Sequence, residues 1–242
     1  MTIKTLAAAV ALAFAANAGA ATTITVTDFD AASYQMTARS LGTSTVEDFE
    51  SYSEASVANG FSTSVGTFSS IGGQGSGGTV TQSGFANDGS TLTIRDANVF
   101  GRSSTTSEIF GDKTADKFLD SNDTFGIAWT ATRGGGLFDK ILLTLRDGAE
   151  FGAMMHITVD GQSVSFAGNG NADTRMVLID FGQAVRTSRI TFANLNGQNN
   201  LTNDGFSIDD IAISAVPLPA SSLLLLAGLG GLGALKRRRK AA

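Results

Sequence analysis

The sequence predicts an all-β fold, an antiparallel sandwich of two sheets, on three observations. Short segments of the 242-residue chain alternate apolar and polar residues with the period of two that a half-buried strand requires. Turn-forming clusters of Asn, Asp and Gly separate these segments at a spacing of roughly 8–12 residues. Between the two chain ends, no long stretch repeats with the period of a helix. The predicted strands are Thr22–Thr27, Leu137–Arg146, His156–Asp160, Ser163–Phe166, Thr174–Phe181, Ser188–Leu195 and Phe206–Ile213.

Phenylalanine supplies most of the predicted core. No linker divides residues 21–215, so one domain is predicted there. Two segments rich in Gly or Asn, Ile71–Gly78 and Asn194–Asp204, are predicted loops. Trp129 lies in an apolar segment and is predicted to be a core residue rather than a platform for stacking sugars. The predicted core residues are Phe49, Phe61, Phe68, Phe125, Phe138, Phe166, Phe181, Phe192, Phe206 and Trp129.

The composition excludes several kinds of site. The chain has no Cys, which rules out disulfides, thiolate zinc sites and a cysteine nucleophile. Its single His rules out a two-His metal site and leaves a serine triad possible only through His156, which strand alternation predicts to face water. The net charge of −5 argues against nucleic acid as a partner.

The first 20 residues have the layout of a secretory signal peptide. Lys4 precedes the apolar stretch Leu6–Ala16, and Ala18, Gly19 and Ala20 supply the small residues of a cleavage site. We therefore expect the export machinery and signal peptidase as partners, with cleavage after Ala20.

The last 27 residues carry a second signal. Leu218–Leu235 is an 18-residue apolar run, which as a helix spans roughly 27 Å, barely enough to cross a bilayer. A basic cluster that follows at once is expected to hold that end in the cytoplasm, so the domain before it would lie outside the inner membrane. The cluster consists of Lys236, Arg237, Arg238, Arg239 and Lys240.

The order of features in this tail resembles a known sorting signal. Val216, Pro217, Leu218, Pro219 and Ala220, followed by the apolar helix and the basic end, resemble the VPLPA variant of the PEP-CTERM signal over residues 216–240. The resemblance implies cleavage by an exosortase. It also implies a transient anchor in the inner membrane and then a place at the cell surface or outside a Gram-negative cell, often one that makes exopolysaccharide.

The region between the signals is acidic. Residues 21–216 hold 11 basic and 22 acidic side chains, a net charge of −11. Such a surface attracts divalent cations and repels anionic polymers unless a cation bridges them. Without cysteines, burial and a bound metal are the available sources of stability outside the cell.

Two acidic segments point to a metal site. Phe206 and Ile208 are out of phase with Ile211 and Ile213, and a β-bulge at Asp209-Asp210 would reconcile the two pairs. A bulge turns a carboxylate out of regular pairing, and carboxylate oxygens are the ligands that Ca²⁺ prefers. The alternative is that these carboxylates cap strand ends and face water.

The pairing of Asp48–Glu50 (DFE) with Ile208–Ile211 (IDDI) is similar to jelly-roll domains of the MAM and carbohydrate-binding type. The resemblance covers roughly residues 44–214, although the MAM cysteines are missing. It implies a jelly-roll-like sandwich with a structural calcium, for which Glu50, Asp209 and Asp210 are the predicted ligands, followed by Asp48.

Three functions remain open on the sequence. The first is a non-catalytic surface or matrix protein that binds polysaccharide with calcium support, through Asn196, Asn199 and Asn203 of the Asn-rich loop. The second is a structural or adhesive protein that recognises protein partners. The third, a polysaccharide-degrading enzyme, is not expected, because nothing in the sequence pairs its candidate carboxylates. Those carboxylates are Glu54, Glu108 and Glu150.

Overall fold

A computed structural model describes residues 21–72, 91–96, 117–122, 124–148, 154–168, 173–195 and 205–216. The predicted signal peptide, the basic cluster and the loop residues Asn196, Asn199 and Asn203 lie outside these residues. So does the predicted membrane segment Leu218–Leu235. No helix in the described ranges combines the length and apolar character needed to cross a membrane.

The described chain folds into fourteen strands and one helix. In chain order they are β1 Thr23–Asp28, α1 Ala31–Ser40, β2 Ser44–Glu47, β3 Ala55–Val57, β4 Phe61–Thr63, β5 Gly66–Ser70, β6 Leu92–Arg95, β7 Phe118–Asp120, β8 Gly126–Thr132, β9 Phe138–Arg146, β10 Met154–Val159, β11 Gln162–Ala167, β12 Thr174–Val185, β13 Thr187–Leu195 and β14 Ser207–Ser214. All seven strands predicted from alternation are present, which confirms the all-β class.

These strands form two antiparallel sheets that pack as a sandwich. Sheet A has the order β1-β12-β9-β14-β7-β6-β3, and β2 also pairs with β14. Sheet B has the order β11-β10-β13-β8-β5-β4. The N-terminal strand β1 is thus an edge strand, whereas the C-terminal strand β14 lies inside its sheet, with β9 on one side and both β7 and β2 on the other.

The predicted bulge in β14 is confirmed. Pairing of β14 with β9 shifts register between Asp209 and Ala212, and Asp210 has a φ of 52°. The shift turns Ile211 and Ile213 to the side that Ile208 already faces, and all three join the core between the sheets. On the edge of β14 that faces away from β9, the shift separates two pairing regions. The first half of β14 pairs with β7 and the second half pairs with β2.

Most of the predicted core is confirmed. Phe61 and Phe166 are partly buried and pack against the central cluster. The prediction that Phe125 is a core residue is wrong, because its side chain is 39% exposed. It precedes β8, where its backbone N–H donates to the Gly72 carbonyl at 3.0 Å. The predicted residues that are fully buried are Phe49, Phe68, Phe138, Phe181, Phe192, Phe206 and Trp129.

The helix α1 was not predicted. Its N-cap is Asp30, whose carboxylate accepts the Ser33 N–H at 2.8 Å. Tyr34 and the C-cap residue Leu41 are buried against Leu142 and Ala212 on the outer side of sheet A. The helix therefore covers part of the outer face of that sheet.

Candidate functional site

The outer face of sheet B is open to solvent. Along β8, β10 and β13 the inward positions belong to the core, and the alternate positions point outward. None of the outward residues is fully buried. They are Ser62, Thr67, Ser69, Ala128, Thr130, Thr132, Met154, His156, Thr158, Ser163, Ser165, Ala167, Thr187, Arg189, Thr191 and Ala193. We call this set the open face.

Hydroxyl side chains dominate the open face, and none of its residues is acidic. The register aligns them across strands: Ser163 lies opposite Thr158, and Thr158 lies opposite Thr191. Neighbouring strands are about 4.8 Å apart, so such a row presents hydroxyl groups at a regular, short spacing. The positive groups available on this face are Arg189 and, when protonated, His156.

His156 lies on the open face, as predicted, and is partly exposed. Its Nδ1 is 2.6 Å from the Ser165 Oγ across the β10–β11 hairpin. The hairpin turns at Asp160-Gly161, and both residues have the positive φ for which an Asp-Gly pair is favoured. Since no residue of the open face is acidic, the His156–Ser165 pair has no carboxylate there to orient it as a triad requires.

The bulge places two adjacent carboxylates inside the protein. Asp209 and Asp210 are both buried, and the Asp209 Oδ1 accepts the Asp210 N–H at 2.7 Å. The Tyr34 hydroxyl donates to the Asp210 carbonyl, and the Thr144 hydroxyl donates to the Asp209 carbonyl at 3.0 Å. Burial raises the pKa of Tyr34 well above its usual value, and the charges of Asp210 and Asp209 raise it further. The Tyr34 hydroxyl is therefore bound to the backbone of the bulge itself.

Glu47 acts as a connection between the sheets. Its carboxylate accepts the Phe49 N–H at 3.0 Å, and from the β4–β5 turn it accepts the Ser64 N–H at 3.1 Å and the Ser64 hydroxyl at 2.9 Å. Tyr52 also donates to it, at 3.4 Å. Burial, and then the neighbouring Glu47, raises the pKa of Tyr52 to about 12. Glu47 is thus a buried structural acceptor in the acidic segment that the sequence singled out.

Glu50 is held by a different part of the chain. Its Oε1 accepts the Lys117 N–H at 2.8 Å, while the Lys117 ammonium donates to the Glu50 carbonyl at 3.1 Å. No three Asp, Glu or His side chains of the described residues converge on one point. The described part of the chain thus brings Asp209 and Asp210 together and does not add Glu50 to them. The donor chemistry of the buried pair fits a hard cation, with two of the six to eight oxygens that Ca²⁺ takes.

Sequence reasoning missed a second buried charged group on sheet A. The Arg95 Nε lies 2.5 Å from the Asp120 carboxylate, and its Nη2 donates to the Asn122 side chain at 2.9 Å. All three side chains are fully buried. Arg95 ends an alternating strand, in which Leu92 and Ile94 face the core. That alternation places Arg95 on the outer side, but nothing local reveals that this side is covered.

The candidate catalytic acids are only partly described. A hydrogen bond with the Asp96 carboxyl, then burial, raises the pKa of Glu54. Glu108 and Glu150 lie outside the described residues.

β14 ends at Ser214, and the predicted tail begins two residues later, at Val216. Residues 215–240 match the PEP-CTERM protein-sorting motif. No curated protein matches the chain. The PEP-CTERM motif marks an exported protein that an exosortase sorts to the cell surface or the exterior. The sandwich is the part of the chain that precedes the motif.

Proposed function

We propose that the exported domain is a non-catalytic surface or matrix protein that binds polysaccharide through its open face. The supporting observation is the contrast between an acidic domain and one broad face whose described outward residues include no Asp or Glu. Serine and threonine hydroxyls both donate and accept, which matches the hydroxyl groups of sugars. The strands hold these side chains in fixed positions, which lowers the entropy lost on binding.

The charge of the face favours a polymer that the rest of the domain would repel. Acidic polysaccharides approach a surface of net charge −11 only where carboxylates are missing or cations intervene. Arg189, and His156 when protonated, add positive charge to the open face. The face has no aromatic residue, so each sugar unit would bind weakly. A long polymer compensates by making many such contacts at once.

Calcium is proposed as a structural support at the bulge. Asp209 and Asp210 would supply buried carboxylate oxygens. Glu50, the third ligand predicted from the sequence, does not converge on them in the described residues. When bound, the ion would neutralise two negative charges that burial makes unfavourable. Asn196, Asn199 and Asn203 precede β14 in the sequence and remain predicted ligand-binding residues.

The tail is proposed to be of the VPLPA variant, Val216–Ala220, and to anchor the precursor briefly in the inner membrane through Leu218–Leu235. The basic cluster Lys236–Lys240 would stay in the cytoplasm. In a cell fractionation, we expect the unprocessed precursor in the inner-membrane fraction and the mature domain outside the inner membrane. An unprocessed chain free in the cytosol would contradict it.

Polysaccharide binding is tested by placing a carboxylate on the open face. Thr130 on β8 and Thr25 on the β1 edge of sheet A are both exposed strand threonines. We expect Thr130→Glu to weaken retention on the exopolysaccharide of the producing cells at least tenfold, and Thr25→Glu to leave it unchanged. Equal retention by both variants, or capture of a protein with no glycan retained, would contradict the proposal. The second result would favour an adhesive protein.

The calcium support has a separate test. We expect added Ca²⁺ to raise the Tm of the unsubstituted protein and of Asp28→Asn, and EDTA to reverse the rise. Asp28 is 82% exposed and serves as the matched control on sheet A. Asp210→Asn should lose most of the rise. If neither Ca²⁺ nor EDTA changes the Tm, the proposed calcium support is wrong. The proposal of polysaccharide binding is not affected by that result.

A further inference from the structure

The sorting motif begins inside the fold. Its first two residues, Ala215 and Val216, donate backbone hydrogen bonds to opposite neighbours: Ala215 to the Thr43 carbonyl at 2.7 Å and Val216 to the Leu137 carbonyl at 3.1 Å. Thr43 precedes β2 and Leu137 precedes β9, the strands on either side of β14. The ladder of sheet A therefore continues through the start of the motif.

Ser214 fastens the strand one residue earlier. Its hydroxyl oxygen accepts the Asp139 N–H at 3.2 Å and the Lys140 N–H at 2.8 Å, and the hydroxyl donates to the Asp139 carboxylate at 2.6 Å. The residue is 2% exposed. We call Ser214–Val216 the clamp.

The clamp depends on hydrogen bonds more than on packing. A cavity of about 400 Å³ lies beside it, lined in part by Gly42, Lys140 and Ala215. The side chain of Ala215 thus has unfilled space on one side. Backbone bonds and the Ser214 hydroxyl are what fix the position of the segment.

The motif's own sequence ends the ladder. Pro217 has no N–H to donate and its φ is fixed, so strand pairing cannot continue in the same way past Val216. Both prolines of the chain, Pro217 and Pro219, lie immediately after the clamp. Residues 216 and 217 therefore mark the point at which strand pairing of this kind has to stop.

A protease needs free, extended chain on both sides of the bond that it cuts. Each extended residue spans roughly 3.3 Å, and the residues up to Ser214 belong to a strand buried along its whole length. Withdrawing β14 would remove Ile208, Ile211 and Ile213 from the core. Exposing the chain before the clamp is thus far more costly than exposing the chain after it.

We propose that the clamp sets both the boundary and the rate of tail processing: the exosortase cuts only after Val216, and release of Val216 limits the reaction. This inference rests on sorting through residues 215–240. In the cleavage, water adds to the carbonyl carbon of the residue before the bond and the C–N bond breaks. The products are a carboxylic acid and an amine, which takes up a proton. The folded domain acts as a stop that protects its own last strand.

The test moves the motif from Val216 onward away from the sheet and leaves Ser214 and Ala215 in place. Inserting Gly-Ser-Gly-Ser between Ala215 and Val216 lets the first inserted N–H replace that of Val216 while the motif moves outward. The control carries the same insertion in the exposed Asp160-Gly161 turn. In cells that contain the exosortase, pulse–chase should show processing of the first variant several-fold faster than that of the control and of the unsubstituted chain.

A second variant tests the clamp without an insertion. Ser214→Ala removes the hydroxyl and should also speed processing, by a smaller factor, and the thermal melt of each purified precursor shows whether the domain stays folded. Intact mass should give a product that ends after Val216. A product that ends earlier, or equal rates in all folded variants, would overturn the clamp. Absence of any tail cleavage would overturn exosortase sorting along with it.

Discussion

The outer faces of the two sheets differ in what lies over them. On sheet A, Leu142 and Ala212 are buried with residues of α1, and farther along the same face Arg95 and Asp120 are fully buried. On sheet B, the corresponding outward positions remain at least partly exposed and are mostly hydroxyl side chains. One sandwich thus has a covered face that holds buried charge and an open face that holds none.

Because of this difference, we expect substitutions on the two faces to affect different properties of the protein. A polar group on the covered face is shielded from water and depends on protein hydrogen-bond partners. Removing one partner therefore lowers the free energy of unfolding, because the other is left buried without a bond. A hydroxyl on the open face exchanges between water and a ligand at little cost. Substitutions on the covered face should therefore change folding, whereas substitutions on the open face should change binding.

The largest effect is expected at the buried ion pair. Arg95→Met leaves the Asp120 carboxylate buried without its guanidinium and should lower the free energy of unfolding by about 3–5 kcal/mol. Urea denaturation measures the change. The control, Arg189→Met on the open face, should stay within about 0.5 kcal/mol. Replacing both partners, as Arg95→Met with Asp120→Leu, should recover part of the loss, and a double variant less stable than the single one would contradict this account.

Local pattern was enough to predict seven of the fourteen described strands and the bulge. Alternation identifies a strand because its side chains point to opposite faces, and the phase change between Ile208 and Ile211 requires one extra residue wherever both face the core. The bulge at Asp209 and Asp210 therefore follows from the order of apolar residues along β14 alone.

Features that depend on distant chain segments could not be predicted. The apolar residues of α1 are few, and its burial of Tyr34 depends on Leu142 and Ala212, more than 100 residues away. Its one local signal is Asp30, an N-cap residue. The acidic neighbours of Glu50 in the sequence predict a calcium ligand, but its carboxylate meets the Lys117 N–H, 67 residues away.

The next effect in size is expected at Tyr34. Tyr34→Phe removes the buried hydroxyl that donates to the Asp210 carbonyl and should lower the free energy of unfolding by about 1–3 kcal/mol. Tyr52→Phe, which loses only a 3.4 Å contact with Glu47 in a half-buried position, should cost less. Urea denaturation of both variants makes the comparison. An equal loss of free energy of unfolding in the two variants would contradict the larger contribution expected of the buried Tyr34 hydroxyl.

The same two tyrosines predict a loss of stability at high pH. Both have a pKa above the value of 10 expected in the unfolded chain, so the folded state holds its phenolic protons more tightly. The stabilisation is complete below pH 10 and decreases as pH rises toward the folded pKa of Tyr52, about 12. Phenolate absorbance should therefore appear later in the native protein than in guanidinium, where both titrate near pH 10. Coincident titration curves would contradict this.

The smallest effect is expected at a threonine of the open face, compared with a threonine of the covered face. Thr158 bonds Ser163 at 2.7 Å in an exposed cross-strand pair, whereas Thr144 donates to the Asp209 carbonyl at 3.0 Å in the interior. Thr158→Ala should change the free energy of unfolding by less than about 0.5 kcal/mol, because water replaces the lost partner. Thr144→Ala should cost about 1 kcal/mol or more, because the carbonyl loses a buried donor. Equal values in urea denaturation would mean that the two faces do not differ in solvation, since the substitution and the strand context are the same in both.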